Sequence, residues 1–290
     1  MPYTLRMDYR DQQAYRDAYF RFTSKVFDGV SFSAWYEKGG WNEHYQVFSL
    51  FDGDEIVANV SVSALTMLLE GQRARGIQFS AVGTLPAYRR QALSRRLMTH
   101  VLEHYEDSTD IFFLFANESV LDFYPKFGFC LVQDYEFLAE MPDLSSQPVV
   151  RPLDPHHAED WALLTHIAHH RLPVSQVCSA TDYGHIFLYY ALTRTNLVWY
   201  LETLETVIAY ELQGDILDIF DIASPHECDI QAVLRRLKLP NIKHIRFHFT
   251  PDRINLPTRA VARDQREFPF FVRGAFPIQQ PFRFPTMGAT

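Results

Sequence analysis

Four arginines cluster around the start of one predicted helix. Residues 82–98 read as a strand end, a tight loop after Pro86 and the first turn of an amphipathic helix. Backbone amides at a helix start lack intrahelical partners, and the helix dipole adds positive charge there, so the pattern favours an anion such as a diphosphate. Taken alone, the stretch fits a solvated basic helix start equally well. The arginines are Arg89, Arg90, Arg95 and Arg96.

A second stretch that could do chemistry covers residues 117–129, Asn-Glu-Ser-Val-Leu-Asp-Phe-Tyr-Pro-Lys-Phe-Gly-Phe. The phenol of Tyr124 can give a proton to a leaving group. The same ring could instead pack on an aromatic surface beside Phe123 and Phe127. Without the first stretch, this packing role is the favoured interpretation.

Together, the two stretches resemble the acetyl-coenzyme A (acetyl-CoA) motifs of the GNAT superfamily of N-acyltransferases. In that family an Arg/Gln-x-x-Gly-x-Gly loop wraps the pyrophosphate; here Arg89 stands at its first position, and Ala92 and Ser94 replace its glycines. Alanine would be strained there if the loop required a positive φ. The later segment resembles the family's Asn-x-x-Ala-x-x-Phe-Tyr-x-Lys-x-Gly-Phe pattern, which implies that Asn117 bonds the pantetheine arm and that Tyr124 is the general acid near the thioester sulfur. The cofactor-binding residues that the resemblance implies are Val82, Gly83, Thr84, Arg89, Arg90, Gln91, Ala92, Leu93, Ser94, Arg95 and Asn117.

Acetylation of an amine also requires a route for the amine proton. The family often places a glutamate on the central strand, but residues 78–82 read Gln-Phe-Ser-Ala-Val and contain no carboxylate. Glu43 and Glu118 are weak base candidates, together with His44 and Asp122, although each is more typical of a solvated surface. Deprotonation through water needs no dedicated base, and direct attack by the amine needs no covalent enzyme intermediate.

Composition and spacing disfavour several other classes of protein. The formal net charge of −8 argues against nucleic-acid binding and favours a cationic acceptor. The three cysteines are widely spaced and predict free thiols. His166 and His170 have the spacing of helical metal ligands but no third ligand, so no metal is predicted. Without a membrane-spanning run or a signal sequence, we expect a cytoplasmic protein with no membrane partner; whether it forms a homo-oligomer stays open.

The first half predicts the elements that would position these residues. Helices are predicted over residues 9–27, 31–38, 93–105 and about 119–126, and strands over 45–51, 56–68, 76–83, 111–116 and within 130–141. With the resemblance, this order implies an α/β (α+β) fold class, an N-terminal GNAT fold whose mixed, mostly antiparallel central sheet is flanked by helices.

The second half repeats this layout after a Pro- and Ser-rich stretch. We predict a boundary near Gln147, with a GNAT acetyltransferase domain over 1–147 and a degenerate GNAT-like domain over 148–290. The second repeat has no arginine or glycine loop at residues 224–229, so we expect it to shape the acceptor pocket without binding cofactor. Its Phe- and Pro-rich tail from Glu267 is too apolar to stay in water and should pack near the domain junction. Strands are predicted over 149–153, 197–202, 206–212, 216–222 and 244–249, and helices over 158–170, 183–192 and 225–237.

The layout is similar to that of tandem GNAT proteins, including the enhanced-intracellular-survival type that acetylates aminoglycosides. The function that this resemblance implies is acetyl-CoA-dependent N-acetyltransfer, in which an amine of a small, cationic acceptor attacks the thioester directly. A catalytically silent acyl-CoA-binding sensor or interaction module is the alternative.

Overall fold

The computed structural model describes residues 3–27, 30–145, 147–194 and 196–290, and within these residues the strands form two sheets. The helices are α1 (Gln13–Val26), α2 (Ser33–Glu37), α3 (Leu93–Tyr105), α4 (Ala158–His170), α5 (Gly184–Thr193) and α6 (Ile230–Arg236). The first sheet contains β1 (Thr4–Met7), β2 (Tyr45–Asp52), β3 (Glu55–Leu69), β4 (Gln72–Thr84), β5 (Ile111–Phe115), β6 (Cys130–Val132), β9 (Cys178–Ala180) and β15 (Phe270–Gly274). The second sheet contains β7 (Tyr135–Glu140), β8 (Arg151–Pro152), β10 (Val198–Leu201), β11 (Thr206–Gln213), β12 (Ile216–Ala223), β13 (His244–Phe247) and β14 (Arg259–Ala262).

The two sheets follow the same pattern of strands. The first runs β1-β2-β3-β4-β5-β15-β6, with β9 added along β3, and the second runs β8-β10-β11-β12-β13-β7-β14. In each sheet the fourth and fifth strands are parallel, β4 with β5 and β12 with β13. The other described pairings are antiparallel. This arrangement confirms the predicted fold class of mixed, mostly antiparallel sheets with helices.

In each sheet, the strand at the sixth position comes from the half of the chain that forms most of the other sheet. Strand β15, from the tail of the chain, lies between β5 and β6, where Phe270 pairs with both Phe115 and Val132. Strand β7, which follows β6 directly, instead lies in the second sheet between β13 and β14. The predicted domain boundary near Gln147 therefore does not coincide with the division between the sheets, because β7 precedes that residue and β15 lies far beyond it.

Long amphipathic elements match their predictions better than short ones do. Helices α3 and α4 have the predicted bounds, and the apolar face of α3 follows the helical period closely. Helix α1 begins at Gln13, four residues after its predicted start. The helix predicted over 119–126 is replaced by two short 3₁₀ segments, Glu118–Val120 and Tyr124–Phe127; Pro125 has no amide hydrogen with which to continue a helix. Strands β1, β9, β14 and β15 are short and were not predicted.

The Phe- and Pro-rich tail packs between the sheets, as predicted. Phe282 and Phe284 are buried in an apolar cluster that includes Phe113 of the first sheet and Val207 of the second. The rings of Phe113 and Phe284 lie 5.4 Å apart. The tail therefore joins the two sheets through side-chain packing as well as through β15.

Candidate active site

Strands β4 and β5 diverge beyond the last residues that they pair, and a cleft opens between them. Their last matched pair is Phe79 with Leu114, beyond which β4 continues to Thr84. A bulge also interrupts β4 where it faces β3, and Ala81 within it has a φ of 45°. The divergence leaves the end of β4 free to face a ligand.

The cleft has a volume of about 810 Å³ and collects residues from both predicted motifs. Gln91 is the predicted cofactor-binding residue that does not line it; its Oε1 instead accepts a hydrogen bond of 2.8 Å from the Tyr3 hydroxyl. The predicted residues that line the cleft are Val82, Gly83, Thr84, Arg89, Arg90, Ala92, Leu93, Ser94, Arg95, Asn117 and Tyr124.

The loop before α3 is shaped to present backbone amides. Arg90 and Ala92 have φ values of 64° and 59°, and α3 begins at Leu93. In the first hydrogen bond of α3, the Arg96 amide donates to the Ala92 carbonyl at 3.0 Å. The backbone amides of residues 93–95 therefore have no acceptor within the helix. A contact of 2.7 Å between the Ser94 and Thr84 hydroxyls fixes the helix start to the end of β4. The geometry suits a bound diphosphate.

The charge at this loop is uncompensated within the described part of the chain. Arg89, Arg90, Arg95 and Arg96 are exposed, and none of them belongs to an ion pair between described residues. Arg89 does have one weak internal contact, a 3.4 Å hydrogen bond from its Nε to the Thr84 carbonyl. The guanidinium groups remain available to an anionic ligand.

Tyr124 lies in the same cleft with a strongly buried ring. Its neighbours are Phe123, Phe129 and Phe271, with ring centroids 5.3, 6.1 and 5.8 Å away. Burial raises the pKa of the Tyr124 phenol to about 12. The group therefore keeps its proton at neutral pH, as a general acid must.

The base candidates lie elsewhere. Glu43 borders a separate depression of about 240 Å³ together with Asp8 and Asp11. Glu118 and Asp122 are exposed and do not line the cleft.

His44 is also outside the cleft; its Nδ1 lies 3.1 Å from the Ala64 carbonyl and its ring stacks on His185 at 5.6 Å. None of these four side chains meets Tyr124 across the cleft, so the structure brings together the predicted acid and cofactor loop but not a base.

Several lining residues carried no recognisable signal in the sequence. They are apolar or small polar side chains from distant segments, and such residue types do not indicate chemistry by themselves. They are Val26, Phe27, Phe79, Ser80, Phe115, Ala116 and Thr290. Tyr88, Val120 and Phe123 also line the cleft and belong to the two motifs.

The corresponding place in the second sheet, between β12 and α6, is filled by protein. Asp229 caps α6 by accepting a 3.0 Å hydrogen bond from the Gln231 amide, and Glu227 pairs with Arg253. The cavity beside them measures only about 30 Å³, against about 810 Å³ for the cleft in the first sheet.

The described residues contain neither a metal-binding cluster nor a membrane-spanning helix. No group of three or more His, Cys, Asp or Glu side chains there is arranged to hold a metal ion. None of the helices in those residues combines the length and apolar character needed to cross a bilayer.

Comparison with known proteins agrees with this geometry. Residues 10–132 match the family model of the acetyltransferase (GNAT) domain. This match confirms the predicted resemblance to the GNAT superfamily over that part of the chain and supports an acyltransferase. GNAT enzymes use acetyl-CoA as co-substrate. A comparison with curated protein sequences gave no match.

Solved structures share the fold over nearly the whole chain. A probable N-acyltransferase from Enterococcus faecalis V583 aligns with a TM-score of 0.60 and 12% identity, over 93% of this chain and 72% of that one. Eis1 from Mycobacterium abscessus gives 0.58 and 13%, over 93% and 73%. A GCN5-related N-acetyltransferase from Anabaena variabilis gives 0.57 and 15%, over 93% and 72%. At such identities the likeness concerns the fold.

Proposed function

We propose that this protein transfers the acetyl group of acetyl-CoA to the amine of a small acceptor that is cationic in solution. The observation that carries the proposal is the cleft itself, which joins the amide-presenting loop before α3 to the protonated phenol of Tyr124. The acidic net charge of −8 supports the approach of an ammonium. Deprotonation of that ammonium must precede attack.

Each part of the cleft has a role in this reaction. The loop amides and Arg89 would hold the diphosphate, and Asn117 and the backbone of Val82 and Gly83 would hold the pantetheine arm. The amine nitrogen attacks the thioester carbonyl, the carbon–sulfur bond of the tetrahedral intermediate breaks, and Tyr124 gives its proton to the departing sulfur. Water in the open cleft carries away the amine proton, since the carboxylate candidates lie outside it.

Binding of CoA to an Arg89→Ala variant tests the cofactor site. A hydrogen bond to a charged group contributes about 1.5–3 kcal/mol, and the exposure of Arg89 places its effect at the lower end. We expect the Kd for CoA, measured by calorimetry, to rise about tenfold. The matched control is Arg235→Ala, an exposed arginine in the last turn of α6, which should leave the Kd unchanged. Equal affinities for wild type and Arg89→Ala would remove Arg89 from the site.

Turnover separates the enzyme from the alternative of a silent sensor. Thiol release from acetyl-CoA is measured with a panel of small primary amines. Release that depends on the amine supports acetyltransfer. If CoA binds but no amine in the panel causes release, the sensor interpretation replaces this proposal.

A further inference from the structure

The bulge in β4 is held in place by a side chain of the neighbouring strand. Two residues of β4, Ala81 and Val82, lie opposite one residue of β3, Val60. Ala81 has a φ of 45°, in the left-handed region that favours glycine, so its backbone is strained. A strained residue keeps such a conformation only where its surroundings fix it. The contact that does so comes from Asn59, whose Nδ2 donates a hydrogen bond of 3.0 Å to the Ala81 carbonyl.

Asn59 is fully buried, and its own hydrogen bonds fix its orientation. Its Nδ2 also donates to Ser61 Oγ at 2.9 Å, and its Oδ1 accepts from Ser49 Oγ at 2.7 Å. A backbone carbonyl can only accept, so the bond to Ala81 shows that the Nδ2 side of the amide faces β4. The Ser49 hydroxyl, having donated to Asn59, accepts from the Tyr9 hydroxyl 2.6 Å away. Rotation of the Asn59 side chain would therefore leave buried polar groups unpaired.

The hydrogen bond from Asn59 also sets the direction of the next backbone amide. The described residues contain no cis peptide bond, so the Ala81 carbonyl and the Val82 amide hydrogen point to opposite sides of the peptide bond that they share. The carbonyl faces β3, where Asn59 lies, and the amide therefore faces the other side of β4.

On that other side of β4, the cleft takes the place of a paired strand. Strand β5 is the neighbour there, but its pairing with β4 ends at Phe79, three residues before Val82. Val82 itself lines the cleft. The Val82 amide is thus directed into the cleft that also contains the phenol of Tyr124.

Resting on the proposed acetyltransfer, we infer that Asn59 is a positioning residue for the reaction. By holding the Ala81 carbonyl, it keeps the Val82 amide directed at the carbonyl oxygen of the acetyl thioester. The hydrogen bond from this amide strengthens as the amine nitrogen bonds to the carbonyl carbon and negative charge collects on the oxygen. That charge then re-forms the carbonyl, and the electron pair of the carbon–sulfur bond leaves on the sulfur, which takes its proton from Tyr124. Asn59 acts through the backbone and does not touch the substrate.

The kinetics of an Asn59→Ala variant test this role. Removal of a donor to an oxyanion lowers kcat about 100- to 1000-fold, and an amide that is present but no longer held should cost less, about 10- to 100-fold. The Kd for CoA should stay within about twofold of wild type, because CoA has no acetyl carbonyl. Ser179→Ala is the matched control. Its buried hydroxyl donates to the Ser175 carbonyl at 2.6 Å in the same sheet but outside the cleft, so its loss should reduce stability and leave kcat unchanged.

The infrared band of the thioester carbonyl reports the same hydrogen bond without turnover. Acetyl-CoA labelled with ¹³C at the acetyl carbonyl is bound to the protein in the absence of an amine. A hydrogen bond lowers the stretching frequency of a carbonyl, so the wild-type band should lie below that of acetyl-CoA in buffer. We expect the band to move back toward the buffer value in Asn59→Ala and to stay at the wild-type value in Ser179→Ala. A role in stability alone would not move the band.

A second variant covers the case in which Asn59→Ala folds poorly. Asn59→Ser keeps a hydroxyl for the neighbouring serines, but its side chain is about one bond too short to reach the Ala81 carbonyl, so its kcat and carbonyl band should change as in Asn59→Ala. A wild-type band at the buffer value overturns the inference and leaves the acetyltransfer standing. An unchanged kcat or an unmoved band in the Asn59 variants does the same. If wild type binds CoA but no amine causes thiol release, the proposed function fails and this inference fails with it.

Discussion

The phenol of Tyr124 makes the pH dependence of the reaction a test of its role. Its pKa, raised to about 12 by burial, keeps the group protonated over the range in which an alkylamine, with a pKa near 10, becomes reactive. We expect kcat/KM to rise with pH as the amine is deprotonated, with no falling limb below about pH 10. Tyr124→Phe should lower kcat about 100-fold or more while the Kd for CoA stays unchanged.

Thiol-release rates across this pH range, with calorimetry for CoA, check the prediction for Tyr124. Tyr210→Phe is a suitable control, since Tyr210 is also buried and burial also raises its pKa, but it lies in the second sheet. Similar losses of kcat in the two variants would indicate that a missing buried hydroxyl, not a missing proton donor, causes the effect.

Among single residues, the cleft residues that could be predicted from the sequence are those that lie in short motifs. Arg89, Ala92 and Tyr124 belong to compact motifs, and the structure places all three in one cleft. Phe27 and Phe115 could not be predicted as lining residues, because an apolar side chain signals only burial and the two are distant in sequence. Glu43 was a candidate because of its residue type and its place near the end of a predicted element, and it lies in another depression.

The start of α3 contains a strained residue that is open to substitution. Ala92 adopts φ 59° and ψ 20°, a left-handed conformation that costs an L-residue about 1–2 kcal/mol. The sequence analysis predicted strain at Ala92 if the loop required a positive φ there. The positive φ of Ala92 confirms that it does. We expect Ala92→Gly to raise the free energy of unfolding by about 0.5–1 kcal/mol, measured by urea denaturation, without weakening CoA binding.

Ala87→Gly provides the opposite case in the same loop. Ala87 is exposed, lies in a 3₁₀ turn and is not among the residues with positive φ, so glycine should only add conformational freedom to the unfolded chain. That variant should lose stability by a few tenths of a kcal/mol to about 1 kcal/mol. Destabilisation of similar size by both glycines would mean that position 92 is not strained.

Among elements, the reliable predictions were those with a long repeating pattern. The apolar residues of α3 recur over four turns and fix both of its ends, whereas β15 is short and lies among prolines that obscure any alternation. The pairing of the strands could not be predicted either. Nothing in the sequence of β7 shows that it pairs with β13 and not with β6. The fold class could be predicted, but the exchange of strands could not.

For the whole molecule, the exchange predicts that the two halves cannot be separated intact. A protease site inserted at Pro148, an exposed residue of the connection between β7 and β8, allows the chain to be cut. We expect the cut protein to elute as one species in size-exclusion chromatography and to retain CoA binding, because β7 and β15 hold the pieces together in both directions.

Fragment 1–148 alone should be insoluble, since it leaves β5 without its neighbour β15 and β7 without its sheet. The intact insertion variant is the control for the added sequence. Two pieces that separate without denaturant, each folded and monomeric, would contradict the prediction.

The position of β15 also has a consequence for biosynthesis. Strand β5 pairs with a strand that the ribosome synthesises about 155 residues later. Because the two strands are so far apart in the sequence, this pairing forms late. Phe271, which packs on Tyr124, and Phe270, which supports Phe115, arrive with that strand. A nascent chain that has already exposed the proposed cofactor loop therefore lacks the two rings that pack against these cleft residues until β15 has been synthesised.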